Sequence, residues 1–189
     1  ASPDLKAMAR ALLATNARYE RLIEGLLLLA QSEQELVVRR AVDLRPVVLS
    51  VLEQLDMQPR KRHVTVHRDL EPAVAQGDPL LLERCVYNLL ENAIKYNVPE
   101  SGEVWVRTGM LDGASVVQVA NTGPHVPAYE VDDLFEPFRR LNADRVDSAR
   151  GAGLGLSIVR AVVRAHGGTV TAVPRDGGGL VVTVRLPAA

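Results

Sequence analysis

Residues 88–96 read Asn88-Leu89-Leu90-Glu91-Asn92-Ala93-Ile94-Lys95-Tyr96. Asn88, Asn92 and Lys95 are spaced i, i+4 and i+7, which puts them on one helical face. Leu89, Leu90, Ala93 and Ile94 supply a buried side, and Tyr96 borders the polar one. Two amides and an ammonium on one face suit a hydrated divalent cation beside phosphate oxygens. Amide oxygens are hard ligands, and Mg²⁺ keeps waters and takes few protein groups. Taken alone, the same residues more often make a plain solvated face.

Working outward, Gly77-Asp78-Pro79 begins this helix with a capping side chain and a proline at the first helical position. Asn97-Val98-Pro99 stops it after about Tyr96. Upstream, Leu44, Val47, Val48, Val51, Leu52 and Leu55 predict a helix over 44–57. Pro59 to Arg62 make a basic turn. His63 to Arg68 alternates like a strand, with Ala73 to Gln76 as its expected partner. Downstream, residues 103–109 and 114–120 form a hairpin across Leu111-Asp112-Gly113. A short helix is expected around Tyr129–Phe135. A polar stretch from Asn142 to Arg150 reads as a mobile segment. A glycine-rich turn then enters a helix ending at His166-Gly167-Gly168, and strands Thr169–Val173 and Leu180–Leu186 close the chain. Helices and antiparallel strands in blocks predict an α+β fold, a two-layer sandwich of sheet against helices.

Two further segments carry chemistry. Asn121-Thr122-Gly123-Pro124-His125 follows a strand, and its glycine lets the backbone approach a ligand. Gly151-Ala152-Gly153-Leu154-Gly155-Leu156-Ser157 exposes amide donors at a helix N-terminus, where the helix dipole favours an anion. No preceding strand supports a dinucleotide fingerprint, and no GxxxxGK[ST] stretch occurs, which excludes a P-loop.

At the other end, Leu5, Met8, Leu12, Tyr19, Leu22, Leu26, Leu29 and Leu36 step by threes and fours. That is the pattern of a helix packed lengthwise on another helix. Leu13, Ile23, Leu27 and Ala30 widen the stripe, as in a bundle. Residues 1–36 therefore read as one long amphipathic arm of a helical hairpin, pairing with a second copy of the protein.

Composition narrows the field. The chain has 189 residues, 47% of them hydrophobic, and a net charge of −1. That is enough apolar content for a core and no basic excess for nucleic-acid binding. The single cysteine, Cys85, excludes an internal disulfide and a multi-cysteine metal site. The longest apolar run, Leu26 to Ala30, is far short of the roughly 20 residues that span a bilayer.

The order and context of these segments resemble the catalytic ATP-binding domain of two-component sensor histidine kinases, in the superfamily shared with gyrase. Asn88 to Tyr96 is similar to the family's N box, Val119 to Pro127 to its G1 box, and Phe135-Glu136-Pro137-Phe138 to its F box. Gly151 to Val159 resembles the G2 box, and Gly177 to Pro187 the closing glycines and last strand. Tyr19 to Glu33 resembles the second helix of the dimerisation and phosphotransfer hairpin. The resemblance covers essentially the whole chain. It implies a hairpin portion over 1–40, a catalytic domain over 41–189, and the Bergerat ATP-binding fold with its mixed, mainly antiparallel sheet.

By that resemblance, Asn92 coordinates Mg²⁺ and Asn88 supports the cation. Lys95 contacts phosphate and Tyr96 flanks the nucleotide. Asn121 faces the adenine, and Gly123 belongs to the nucleotide-binding residues. Phe135 and Phe138 anchor a flexible lid, and Arg140 reaches towards the terminal phosphates. Gly151, Gly153 and Gly155, with Leu154 and Leu156, cradle the triphosphate of ATP. Arg139 and Arg145 are expected to be simple surface charges. The implied partners are a response regulator and a second copy of the kinase, with membrane attachment through upstream segments of a bacterial protein.

Two departures matter, at Asn121 and His125. The first G1 position is usually aspartate in this family and is Asn121 here. A neutral acceptor is weaker than a charged one, so ATP affinity is expected to fall by about 1 kcal/mol. An amide that flips would also relax adenine selectivity. His125 replaces a glycine, and either narrows the adenine side or lies outward over it. Asn88 stands where hydrolytic superfamily members carry a general-base glutamate. An amide cannot take a proton from water, which favours transfer to a supplied acceptor over hydrolysis. Glu91, the nearest carboxylate, points in another helical direction. None of His63, His67, His125 and His166 has an acceptor-box context, so the phosphoacceptor is expected upstream of Ala1. The competing expectations are a nucleotide-weak pseudokinase that signals through its arm, and a gyrase-like ATPase.

Overall fold

The computed structural model describes residues 39–56, 64–139 and 153–189. The expected arm over 1–36, the basic turn, His63, Arg140, the polar stretch with Arg145, and Gly151 lie outside the described residues. The elements are β1 (Arg40–Asp43), α1 (Leu44–Asp56), β2 (Val64–Leu70), β3 (Val74–Gly77), α2 (Pro79–Lys95), β4 (Gly102–Leu111), β5 (Ala114–Asn121), α3 (Gly155–Ala165), β6 (Thr169–Pro174) and β7 (Leu180–Pro187). The expected short helix is two 3₁₀ turns, Ala128–Glu130 and Asp132–Phe135.

Five strands form one sheet in the order β2-β4-β5-β7-β6. The β2–β4 pair is parallel and the other three are antiparallel. The hairpin between β4 and β5 turns on Asp112 and Gly113, both at positive φ (50° and 75°). Such a two-residue turn matches the twist of the flanking strands.

The expected pairing of Ala73–Gln76 with the His63–Arg68 strand does not form. β3 pairs antiparallel with β1, with Arg40 opposite Gly77 and Asp43 opposite Val74. Asp43 explains the switch. Its carboxylate accepts the Arg45 amide (3.0 Å), capping α1, and the Ala73 amide (3.2 Å). That side chain ties the segment after β2 to the start of α1. β2 is left to pair with β4, reached through α2 as parallel strands require.

Period-2 alternation puts Val104, Val106, Val117, Val119, Val182 and Val184 on one sheet face, where they share a core with Leu82, Leu90, Val159 and Val162 of the helices. The α1 residues expected to be buried are so, except Val47, which is partly exposed. α2 packs between α1 and α3. Cys85 is within this core, where burial pushes its thiol up to about 12. The opposite sheet face is more polar: Arg107 pairs with Asp69 (2.8 Å), and Gln118 donates to Thr183 (2.9 Å). The α+β two-layer architecture is the one expected, with α2 and α3 running in opposite directions beneath the sheet.

Candidate functional site

The two central helices bring opposite ends to one edge of the sheet. α2 contributes its C-terminal half and α3 its N-terminus. Close approach at glycine shows the convergence. A β-carbon at position 155 would meet the Asn92 amide at 2.6 Å, so any side chain there would have to push that amide aside. A β-carbon at position 123 would lie 2.8 Å from the Tyr96 carbonyl, so the turn after β5 sits on the end of α2. Gly178 and Gly179 in turn rest on the carbonyls of Gly123 and Asn121. The segments 88–96, 121–123, 153–156 and 177–179 are thereby contiguous.

Asn88 lies deeper than its shared face with Asn92 and Lys95 implies. It is 7% exposed, and its Nδ2 donates to the Arg84 carbonyl one turn back (2.8 Å). This leaves Oδ1, the hard-ligand atom, without a bond among the described residues. Asn92 is half-buried, and its side chain makes no hydrogen bond among the described residues. Lys95 folds over the Tyr96 ring at 5.2 Å, a cation–π contact that keeps the ammonium at the edge of the cluster. Glu91 is half-buried too, on another side of the helix.

α3 opens without a side-chain cap. Leu154 precedes it, and its carbonyl takes the Ile158 amide (2.9 Å) and the Ser157 hydroxyl (2.8 Å). The leading amides of the helix are left as donors, and the dipole adds partial positive charge. An anion is the natural partner. Leu154 is buried and Leu156 half-buried, so they hold this end in the core.

Phe135 is 5% exposed and anchors the F-box segment, whereas Phe138 is 56% exposed at φ 64°. The Phe138 amide donates to the Gly153 carbonyl (3.0 Å), and Glu136 pairs with Arg160 of α3 (2.9 Å). Both links hold the F-box turn to the start of α3. Arg139 is exposed, as expected of a surface charge.

Asn121 is 9% exposed and its Nδ2 donates to the Thr122 carbonyl (2.8 Å). Flipping the amide would set two oxygens against each other, so Oδ1 is the atom left for a ligand. His125 is exposed rather than folded into the turn. Sequence reasoning passed over two buried polar residues, Asn97 at this site and His166 at the far ends of the same two helices. Asn97, read only as a helix stop, is buried and bonded to three segments. His166 is 1% exposed; its Nε2 accepts the Asp78 amide (3.0 Å) and its Nδ1 donates to the Val162 carbonyl (2.7 Å). Burial holds its pKa below the ordinary 6.5. Their only sequence signals are polar residues at the ends of the two site helices.

Residues 77–189 match the model of the histidine kinase-, DNA gyrase B-, and HSP90-like ATPase family. The chain belongs to that family. It is 52% identical over 184 residues to the sensor protein CutS of Streptomyces coelicolor, an alignment covering 97% of this chain and 44% of CutS. A mycobacterial sensor histidine kinase, MprB, superposes with a TM-score of 0.69 at 32% identity, covering 79% of this chain and 97% of that one. Full-length ShkA, solved with AMPPNP, gives a TM-score of 0.80 at 25% identity over 100% of this chain and 40% of ShkA. The chain thus contains the ATPase domain of sensor histidine kinases and spans less than half the length of CutS. Among the described residues, no helix is long and apolar enough to cross a membrane, and no cluster of three or more His, Cys, Asp or Glu could hold a metal.

Proposed function

We propose that this chain binds Mg²⁺–ATP at the joined ends of α2 and α3 and serves a protein-histidine kinase that passes the γ-phosphoryl to a histidine, and from there to a response regulator. The observation that carries the reading is the uncapped N-terminus of α3 set against Asn92, an amide with no hydrogen bond among the described residues. An anion and a hard cation are the ligands such a pair accepts.

The donor set fits Mg²⁺: Asn92 and Asn88 each have an amide oxygen to offer, and a cation that keeps its waters needs no carboxylate cage. When bound, the ion neutralises phosphate charge. Lys95 and the first amides of α3 do the same from the protein side. Asn121 offers an acceptor to the base. Gly151 and Arg140 belong to the proposed phosphate contacts. Catalysis then comes from positioning and charge neutralisation, with the phosphoryl group leaving ADP for the acceptor histidine and forming no bond to this domain. Asn88 supplies no base for water, which fits transfer rather than hydrolysis.

Residues 1–40 are proposed as the hairpin portion, through which two kinase copies pair, and 41–189 as the catalytic domain. Membrane attachment and a cytoplasmic position for this domain follow the sensor-kinase reading. His166 is buried as a helix clip, and His67 stacks on Trp105 (ring centroids 5.5 Å apart) on the outer sheet face. Neither is proposed as the phosphoacceptor.

The test supplies radiolabelled ATP and Mg²⁺ to the chain, with and without a histidine-bearing hairpin of the sensor-kinase kind. Label on the supplied hairpin alone is expected. Label on the chain alone refutes the acceptor assignment. ATP binding with no transfer to any hairpin favours the pseudokinase reading.

A further inference from the structure

Asn97 sits where α2, β4 and the turn after β5 meet, and it bonds to all three. Its Nδ2 donates to the Ala93 carbonyl (3.0 Å), one of the carbonyls that the end of α2 leaves unpaired. The same amide donates to the Glu103 carbonyl at the start of β4 (3.0 Å). Its Oδ1 accepts the Val98 amide (2.9 Å) and the Thr122 hydroxyl (2.5 Å). Thr122 completes the junction: its hydroxyl accepts the Glu103 amide (2.8 Å), and its carbonyl holds the Asn121 amide group (2.8 Å). Asn97 is 2% exposed, so water cannot stand in for any lost partner. Gly102 is required beside it, since a β-carbon there would lie 2.5 Å from Oδ1.

We propose that Asn97 is a positioning residue for the nucleotide site. Acting through Thr122, it fixes the turn 121–123 against the C-terminal end of α2. The base side of the pocket and the phosphate side thereby keep one spacing. A ligand that touches both must find them in register, and a small displacement of positioning groups is costly. This inference rests on the nucleotide reading above.

The experiment measures the dissociation constant of Mg²⁺–ATP, with thermal stability alongside, for the 189-residue chain and its variants. Asn97→Ala and Thr122→Val are each expected to weaken binding roughly tenfold, equivalent to about 1.4 kcal/mol. The double variant is expected to bind within about threefold of the weaker single, because both cut the same link. Thr122→Ser keeps the hydroxyl and is expected to bind as the parent does. Thr108→Val is the control for stability alone. Thr108 is a buried hydroxyl in the same sheet, bonded to the Glu71 carbonyl (2.6 Å) away from the pocket. It is expected to lower the melting temperature and leave ATP affinity unchanged. The proposal fails if Asn97→Ala weakens binding no more than Thr108→Val, or if the effects of Asn97→Ala and Thr122→Val multiply. Should Asn97→Ala not fold, the Thr122 pair decides. Loss in Val with retention in Ser supports the link, and no loss in Val overturns it. If the parent chain itself binds no ATP, the nucleotide reading has failed rather than the positioning role.

Discussion

The N-termini of α2 and α3 lie at opposite edges of the sheet and are built in opposite ways. At α2, Asp78 takes the amides of Leu80 (2.8 Å) and Leu81 (3.2 Å), Pro79 removes a donor, and His166 accepts the amide of Asp78 itself. At α3, Leu154 offers no side-chain acceptor, and Asn92, whose amide lies against Gly155, has no partner among the described residues. A helix end left uncapped costs about 1 kcal/mol relative to a capped one. The fold meets that need at one edge, and leaves it open at the edge where a ligand is proposed.

If that contrast is right, substitutions at the two edges separate stability from binding. The largest expected effect is at the open edge. Asn92→Ala should weaken Mg²⁺–ATP binding by roughly thirtyfold, about 2 kcal/mol, with the melting temperature nearly unchanged. Calorimetric titration and a thermal melt read the two quantities. Asp78→Ala is the mirror image. Loss of the cap should cost about 1–2 kcal/mol of unfolding free energy and leave ATP affinity unaltered.

The closed edge should also be pH-sensitive. His166 is held neutral with a folded pKa below its unfolded value near 6.5, because burial disfavours the charged ring. Its contribution is therefore complete above about pH 6.5 and is lost as the pH falls, by up to about 1.4 kcal/mol per unit. Asp78 and Arg39 are the charged groups that act on it, with opposite signs. Urea unfolding from pH 7.5 down to 5 should show a steeper loss in the parent than in His166→Gln. Equal slopes would show that the clip does not titrate. The smallest effect belongs to base recognition. Asn121→Asp should tighten ATP about fivefold, near 1 kcal/mol, by adding charge to the acceptor. The parent should still prefer ATP to GTP, since the Thr122 carbonyl keeps the amide from turning.

Much of this was legible in the chain itself. The Asp78 cap, the Asp112–Gly113 turn and the helix carrying Asn88, Asn92 and Lys95 follow from local rules, and each formed as read. The failures were non-local. β1 has only four residues, too few for a period, and its pairing with β3 depends on Asp43 reaching a residue thirty positions away. Asn88 looked equivalent to Asn92 because helical spacing gives direction around the axis but not depth. Asn97 and His166 could not be valued from sequence, because their partners come from separate segments. The glycines were legible as permissive positions. That Gly155 clears Asn92 and Gly123 clears Tyr96 is visible only in three dimensions.

The central claim is that one edge of the sheet holds nucleotide and the other holds only itself. Backbone amide chemical shifts during titration with Mg²⁺–ATP test it most directly. The expected result is saturable shifts at Gly155, Leu156, Asn92 and Gly123, with Asp78, Leu80 and His166 unmoved. Shifts centred on the Asp78–His166 edge, or none at saturating ATP, would contradict it.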